Sequence, residues 1–265
     1  MELSVDGVKF DISDDGSGPA IVLLHGFPLA KESWDPQIDT LKTTSRVIRM
    51  DLRGLGKSSV TPGPYLMETL AGDVAGVLDA LRIERAAIVG HSLGGYVAFE
   101  FWRMFAERCS ALGFVCSDAN ADDAAAAGAR RALAELVETE GIEIAVDALV
   151  PRYFAPDVYE RAPELVARAR EMALRTSPAG AAAMLRGMAE RVASDDLFAE
   201  IDVPVRVIAG ARDAFLPVDE PREIAAGVAG AQLDVLECGH VPMWEEPAAT
   251  SAILADLALA AARRG

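Results

Sequence analysis

Three residues spread over most of the chain, Ser92, Asp213 and His240, have the types needed to open a carbonyl compound by nucleophilic attack. A serine hydroxyl is a weak nucleophile until a base takes its proton, and imidazole is the side chain suited to taking and returning one near neutrality. A carboxylate behind the imidazole fixes its tautomer and steadies the cation that forms. Ser92 stands in Gly90-His91-Ser92-Leu93-Gly94, a G-x-S-x-G pattern. The apolar run Ala86–Val89 precedes it and the almost wholly apolar stretch Tyr96–Phe105 follows. A serine between a strand and a helix in this pattern sits on a very tight turn, its hydroxyl lifted clear of the sheet. Side chains two positions to either side would collide there, so glycine fits at 90 and 94.

The base is found by elimination among three histidines. His25 ends the first core strand and His91 adjoins the nucleophile, pointing away from it. His240 follows the last strand, in Glu237-Cys238-Gly239-His240-Val241-Pro242, and completes the chain order Ser…Asp…His. The acid should leave the C-terminal end of a strand before His240. Asp213, after Ile208-Ala209-Gly210-Ala211-Arg212, does so, and Asp118 at the end of the preceding strand is its rival. An oxyanion needs donors. One is expected from the amide of Leu93, the other from the loop His25-Gly26-Phe27-Pro28, at the amide of Phe27. His25 is then a structural anchor.

His25-Gly26-Phe27-Pro28, Asp51-Leu52-Arg53-Gly54-Leu55-Gly56-Lys57-Ser58, Gly90 to Gly95, Gly210…Asp213 and Gly239-His240 together resemble the α/β-hydrolase superfamily. The resemblance covers residues 20–118 and 203–262, and is closest to the serine branch. That branch includes esterases, 3-oxoadipate enol-lactonase and the cofactor-free haloperoxidase and perhydrolase group. It implies an α/β fold, a mostly parallel eight-stranded sheet with helices on both faces and an inserted helical lid. It also implies a carboxylic ester hydrolase that cleaves a small ester or lactone through an acyl-enzyme, without a cofactor. Dehalogenases and epoxide hydrolases of the superfamily carry aspartate at the elbow, where this chain has Ser92. Three alternatives share the scaffold: a carbon–carbon bond hydrolase of ring-cleavage products, a perhydrolase, and a non-catalytic ligand-binding protein. In such a fold Phe27, Tyr153, Phe154, Met184, Met188, Phe215 and Val241 are expected at the substrate pocket.

The elements that must hold these residues are legible as patterns. Residues 2–12 form two short alternating runs around Asp6-Gly7, a hairpin, and a loop follows at 14–19. Continuous apolar runs at 20–24, 46–50, 86–89, 112–116, 203–209 and 233–236, separated by helix-length segments, argue for a parallel sheet covered on both faces. Apolar residues recur at helical spacing over 66–81. The last helix is expected to open with Glu245, Glu246 and Pro247 and close with Arg263 and Arg264, matching the helix dipole. From Asp118 to about Asp202 no strand run appears. Helical patterns at 124–137, 142–150, 164–175 and 179–192, the last capped by Ser177-Pro178, make 119–202 a lid between core segments 1–118 and 203–265. Its arginines 130, 131, 152, 161, 168 and 170 read as a solvated face, any one of which could meet a substrate carboxylate.

Composition sets the outer limits. With 25 basic and 41 acidic residues the formal charge is −16, which disfavours nucleic acid and anionic membrane surfaces as partners. The three cysteines show no metal-ligand spacing and read as buried apolar residues in a reducing, cytoplasmic setting; the N-terminus has no signal-peptide pattern. Gly56-Lys57-Ser58 is not a phosphate loop, because Asp51 stands where that motif needs glycine.

Overall fold

The computed structural model describes residues 1–263. Eight strands form one sheet in the order β1-β2-β4-β3-β5-β6-β7-β8. They are β1 (Glu2–Val5), β2 (Val8–Gly16), β3 (Ala20–Leu24), β4 (Arg46–Met50), β5 (Ala86–His91), β6 (Cys109–Val115), β7 (Val205–Gly210) and β8 (Gln232–Leu236). From β3 onward all neighbours run parallel; β1 and β2 form the expected hairpin, and β2 pairs antiparallel with β4. The hairpin strand runs further than its sequence suggests. Residues 14–16, expected in a loop, continue β2 as far as Gly16 opposite Arg46. Their acids find partners across the strand pair, Asp14 with Arg46 at 2.7 Å and Asp15 with Arg49 at 3.1 Å.

Eleven α-helices accompany the sheet among the described residues: α1 (Asp35–Leu41), α2 (Met67–Ala80), α3 (Leu93–Phe105), α4 (Ala124–Glu140), α5 (Glu143–Leu149), α6 (Val158–Arg161), α7 (Pro163–Leu174), α8 (Pro178–Met188), α9 (Asp219–Gly227), α10 (Pro242–Glu245) and α11 (Pro247–Ala262). The strand interiors are continuously buried, as a sheet covered on both faces requires. Helices α2 and α3 pack together, as do α1 and α11. α3 is buried along most of its length: its Phe99 stacks on Phe114 of β6 with ring centroids 4.1 Å apart, and burial of one such ring is worth about 1.5–3 kcal/mol. α1 and α9 were not foreseen, being short and offering few apolar positions (Ile224 is the one buried aliphatic of α9).

Two end signals behave differently from expectation. Ser177 does precede Pro178 at the start of α8, but its hydroxyl makes no capping bond. The expected acidic start of the last helix is split: α10 ends at Glu245 and α11 begins at Pro247, so Glu245 turns away from the final helix. Arg263 caps α11, and Arg264 lies outside the described residues.

Between β6 and β7 the chain is helical, α4 to α8. Asp123 caps α4 by accepting the Ala126 amide at 2.7 Å, and α4 packs on α8. α8 is seated closely on the loop that runs from Gly54 to Tyr65. A Cβ at Gly180 would strike the Gly54 carbonyl and one at Gly187 the Tyr65 carbonyl. Between them the Tyr65 amide donates to the Ala183 carbonyl at 3.1 Å. No helix among the described residues is long and apolar enough to cross a membrane.

Candidate active site

Ser92 sits between β5 and α3 with φ 50° and ψ −115°, a left-handed conformation that costs an L-residue energy and persists only where the surroundings enforce it. They do. The Ser92 amide donates to Val115 O at 2.9 Å, and its carbonyl accepts from the Gly95 amide at 2.8 Å and from Ser117 Oγ at 2.9 Å. A side chain at Gly90 would run into the backbone of Gly94, the collision that the turn makes unavoidable. Leu93 opens α3, so its amide has no carbonyl to meet within the helix. Among the described residues neither the Leu93 nor the Phe27 amide has a hydrogen-bond partner.

The loop carrying Phe27 is fixed from within. His25, fully buried, donates from Nδ1 to the Gly26 carbonyl at 2.9 Å and accepts the Leu52 amide at Nε2, 3.0 Å. Both ring nitrogens are spent, and burial lowers its pKa, so His25 is an anchor and not a base. Asp51 closes the adjoining loop by accepting the amides of Lys31 (2.7 Å) and Lys57 (2.8 Å).

His240 Nδ1 lies 2.7 Å from Asp213 Oδ2. With the proton on Nδ1 shared with the carboxylate, the lone pair of Nε2 is left for chemistry. Asp213 Oδ1 accepts two further amides, Phe215 at 2.8 Å and Leu216 at 3.1 Å. Burial pushes the Asp213 carboxyl up, but the attraction of His240, its hydrogen bond and the two amides outweigh burial and hold it below the usual value. The backbone of His240 is held at both ends. Its amide donates to Tyr153 O at 2.7 Å, and its carbonyl accepts from His91 Nε2 at 2.7 Å. His91 is fully enclosed; burial, reinforced by His240 nearby, lowers its pKa to about 3, which keeps it neutral. Its neighbour is the base, not the nucleophile's hydroxyl.

Asp118 belongs to a different network. Its Oδ2 accepts from Tyr96 Oη at 3.1 Å, its Oδ1 from the Asn120 amide and Arg191, and Arg191 stacks 3.8 Å above the Tyr96 ring. The structure brings Asp213, not Asp118, to His240.

Ser92 and His240 open onto one cavity of about 580 Å³. Of the expected pocket residues, Phe27, Tyr153, Met188 and Phe215 line it. Phe154, Met184 and Val241 do not. Phe154 stacks on Trp244, 6.0 Å between centroids, Met184 is fully buried in the core, and Val241 is buried at the start of α10. Leu133 of α4 and Leu185 of α8 supply apolar wall, while Glu220 of α9 brings a carboxylate that the sequence did not mark. The arginines expected on a solvated face are mostly neutralised: Arg130 by Asp122, Arg131 by Glu190, Arg161 by Asp157, Arg168 by Asp35 and Arg170 by Asp147. Arg152 alone of these lacks an acid among the described residues; it lies 4.1 Å over the Phe215 ring and donates to Ala214 O. Cys116, Asp213 and His240 hold donor atoms within 4.8 Å of one another. Two of the three are already spent on each other, and burial pushes the Cys116 thiol far up, which makes the cluster a poor cation site as it stands.

A strand–serine–helix elbow, an imidazole–carboxylate pair from the ends of later strands, and this strand order define the α/β-hydrolase class. The sequence pattern of the α/β hydrolase fold matches residues 19–247, and the chain belongs to that family. Among individual proteins it is similar to 3-oxoadipate enol-lactonase 2 of Acinetobacter baylyi, 31% identical over 231 residues, 87% of this chain and 85% of that one. Among solved structures it is similar to a thermophilic esterase from Thermogutta terrifontis (TM-score 0.93, 33% identity, 97% of this chain and 96% of that one). It is also similar to the enol-lactonase from Burkholderia xenovorans LB400 (TM-score 0.91, 30% identity, 97% and 99%). The chain is an enzyme of the carboxylic ester hydrolase class.

Proposed function

We propose that the chain cleaves small carboxylic esters or lactones through an acyl-enzyme on Ser92, with His240 as general base and Asp213 as the acid that orients it. The observation carrying this reading is that Ser92 and His240 face one cavity while His240 Nδ1 is tied to Asp213 at 2.7 Å. The Ser92 oxygen adds to the carbonyl carbon as its proton passes to His240 Nε2. The amides of Phe27 and Leu93 take the oxyanion. When the tetrahedral species collapses, the alcohol oxygen leaves with the proton from His240; in a lactone that hydroxyl stays on the acyl chain. Water then adds to the acyl-enzyme, giving its proton to His240, and the carboxylic acid departs as Ser92 regains its hydrogen. The helical segment 119–202 acts as the lid, and its Leu133, Leu185 and Met188 form apolar wall against which the substrate packs.

Labelling with a fluorophosphonate, read by mass spectrometry at Ser92, tests the reading alongside hydrolysis of p-nitrophenyl acetate. Wild type should be labelled and active. Ser92→Ala should stay folded, lose the label and drop by roughly 10⁴ or more in turnover. Activity of Ser92→Ala within tenfold of wild type, or a folded wild type that resists the label, rejects it.

A further inference from the structure

The segment just after Val150–Arg152 touches both halves of the catalytic machinery at once. Tyr153, 2% exposed, donates from its hydroxyl to the Phe27 carbonyl at 2.5 Å. Its own carbonyl accepts the His240 amide at 2.7 Å. Its ring lies 6.0 Å from that of His240 and 5.7 Å from that of Phe215. One lid residue thus spans the gap between the loop that offers an oxyanion donor and the loop that offers the base. Burial pushes the phenol up, so the hydroxyl remains a donor throughout the working range.

The span is anchored on its far side. Glu245, 7% exposed, accepts the Gly239 amide at Oε1 (2.9 Å) and the Ala155 amide at Oε2 (3.0 Å). One carboxylate therefore stitches the residue before His240 to the residue two after Tyr153. The two backbones lie so close that a Cβ at Gly239 would sit 2.6 Å from the Ala155 nitrogen and 2.7 Å from the Tyr153 oxygen. Phe154, between them, is held by its stack on Trp244, whose Nε1 donates to Ser33 O at 2.6 Å.

We infer that Tyr153 is a positioning residue for the reaction, a strut from the lid that sets the separation of the Phe27 amide and the His240 imidazole, with Glu245 as its anchor. The inference rests on the Ser92–His240–Asp213 reading. The tyrosine hydroxyl spends its proton on Phe27 O, so it has none to donate to a substrate in the cavity that the residue lines. The Phe27 carbonyl belongs to the peptide that follows the one carrying the Phe27 amide; the two planes meet at the Phe27 Cα, so holding that carbonyl limits how far the donor can turn. Displacement of a catalytic group by about 1 Å can cost 10²-fold, so a lost strut should register in turnover before it registers in binding.

Tyr153→Phe keeps the ring, and with it the cavity wall, while removing the bond to Phe27. We expect kcat for p-nitrophenyl acetate to fall by about tenfold with KM within twofold of wild type. Affinity for benzeneboronic acid, which forms a tetrahedral adduct on the serine with an oxygen in the oxyanion site, should weaken by a similar factor. The thermal midpoint should move little. Glu245→Gln keeps one acceptor oxygen but turns an NH₂ on the second amide, and should lower kcat in the same selective way. A Tyr153→Phe enzyme with kcat and boronate affinity within twofold of wild type overturns the inference, as does a rise in KM at unchanged kcat. If Glu245→Gln does not fold, Tyr153→Phe decides alone. Phosphonate labelling of Ser92 keeps the two failures apart. A labelled wild type, an inactive Ser92→Ala and an unaffected Tyr153→Phe reject the strut and leave the triad standing. An unlabelled wild type removes the triad itself, and the strut with it.

Discussion

The end of the sheet and the helical segment 119–202 hold their residues by different means. At the sheet end the fixing is done by backbone. The Ser92 amide and carbonyl are both engaged, the His240 amide and carbonyl are both engaged, and Asp213 takes two amides besides the imidazole. Segment 119–202 adds side-chain fixing to a few backbone bonds such as Tyr65 N to Ala183 O: arginine–carboxylate pairs such as Arg186–Glu138 and Arg131–Glu190, and the packing of α4 on α8. Exposed pairs of that kind are worth only about 0–1 kcal/mol each. A backbone frame tolerates no shift of register, whereas a side-chain frame can exchange partners one at a time. The contrast teaches that the residues of the proposed triad stand in the part with least freedom, while much of the cavity wall comes from the part with more.

The sharpest way to break that contrast is to exchange the acid. Asp213→Asn should cost about 10⁴ in kcat/KM, because the imidazole loses its tautomer and its counter-charge. Asp118→Asn, which disturbs only the Arg191–Tyr96 network at the cavity wall, should stay within about tenfold of wild type. Comparable losses in both would place Asp118 inside the catalytic frame and dissolve the distinction between the two regions.

The two fully enclosed histidines, His25 and His91, belong to the sheet end, so acid should loosen that end first. The His91 pKa is about 3 in the folded chain, against roughly 6.5 for a free histidine. Between these values the unfolded chain binds a proton that the folded chain refuses. Stability is therefore full above about pH 6.5 and lost as the pH falls toward 3, at about 1.4 kcal/mol per pH unit for one such group. His25, also lowered by burial, acts in the same direction. Urea midpoints measured from pH 7.5 to 4.5 should fall steadily for wild type and visibly less steeply for His91→Gln. Equal slopes would mean that His91 is protonated in the folded state.

Smaller effects separate the seam from the lid's outer surface. Gly239→Ala puts a methyl against the Ala155 and Tyr153 backbones and should cost about 1–3 kcal/mol, with a fall in thermal midpoint and in activity together. Gly128→Ala, on the exposed side of α4 with nothing near the added methyl, should instead stabilise by about 0.5–1 kcal/mol and leave turnover alone. A loss at 128 equal to that at 239 would remove the difference in tolerance.

What the sequence disclosed follows the same divide. Ser92, His240 and Asp213 follow strand ends whose apolar runs and flanking glycines are local, and the strand–turn–helix context is read within about twenty residues. The β2 extension was missed because its polar residues look like a loop until Arg46 and Arg49 stand opposite them. Phe154, Met184 and Val241, expected at the pocket from the fold they resemble, are core instead, because an apolar side chain in sequence does not tell a wall from a core. Glu245 was read as a dipole partner for the last helix. Its actual contacts, with Gly239 and Ala155, link positions 6 and 90 residues away. The Tyr153–Phe27 bond spans 126 residues. Nothing periodic in a chain encodes such pairings.

Helix α8 has one further consequence, for how such an enzyme diversifies. Gly180, Ala183 and Gly187 occupy one stripe of the helix, pressed to the 54–65 loop, while Leu185 and Met188 occupy another, facing the cavity. The two stripes meet different constraints. Changes at 185 and 188 alter the cavity wall and leave the docking stripe untouched, but both side chains are also buried in the core, so they vary only within its packing. Variation at 180 or 187 has no such freedom, because even a methyl group meets a carbonyl oxygen. One side of the helix thus lines the cavity and can vary within the limits of core packing, while the other is frozen against a backbone.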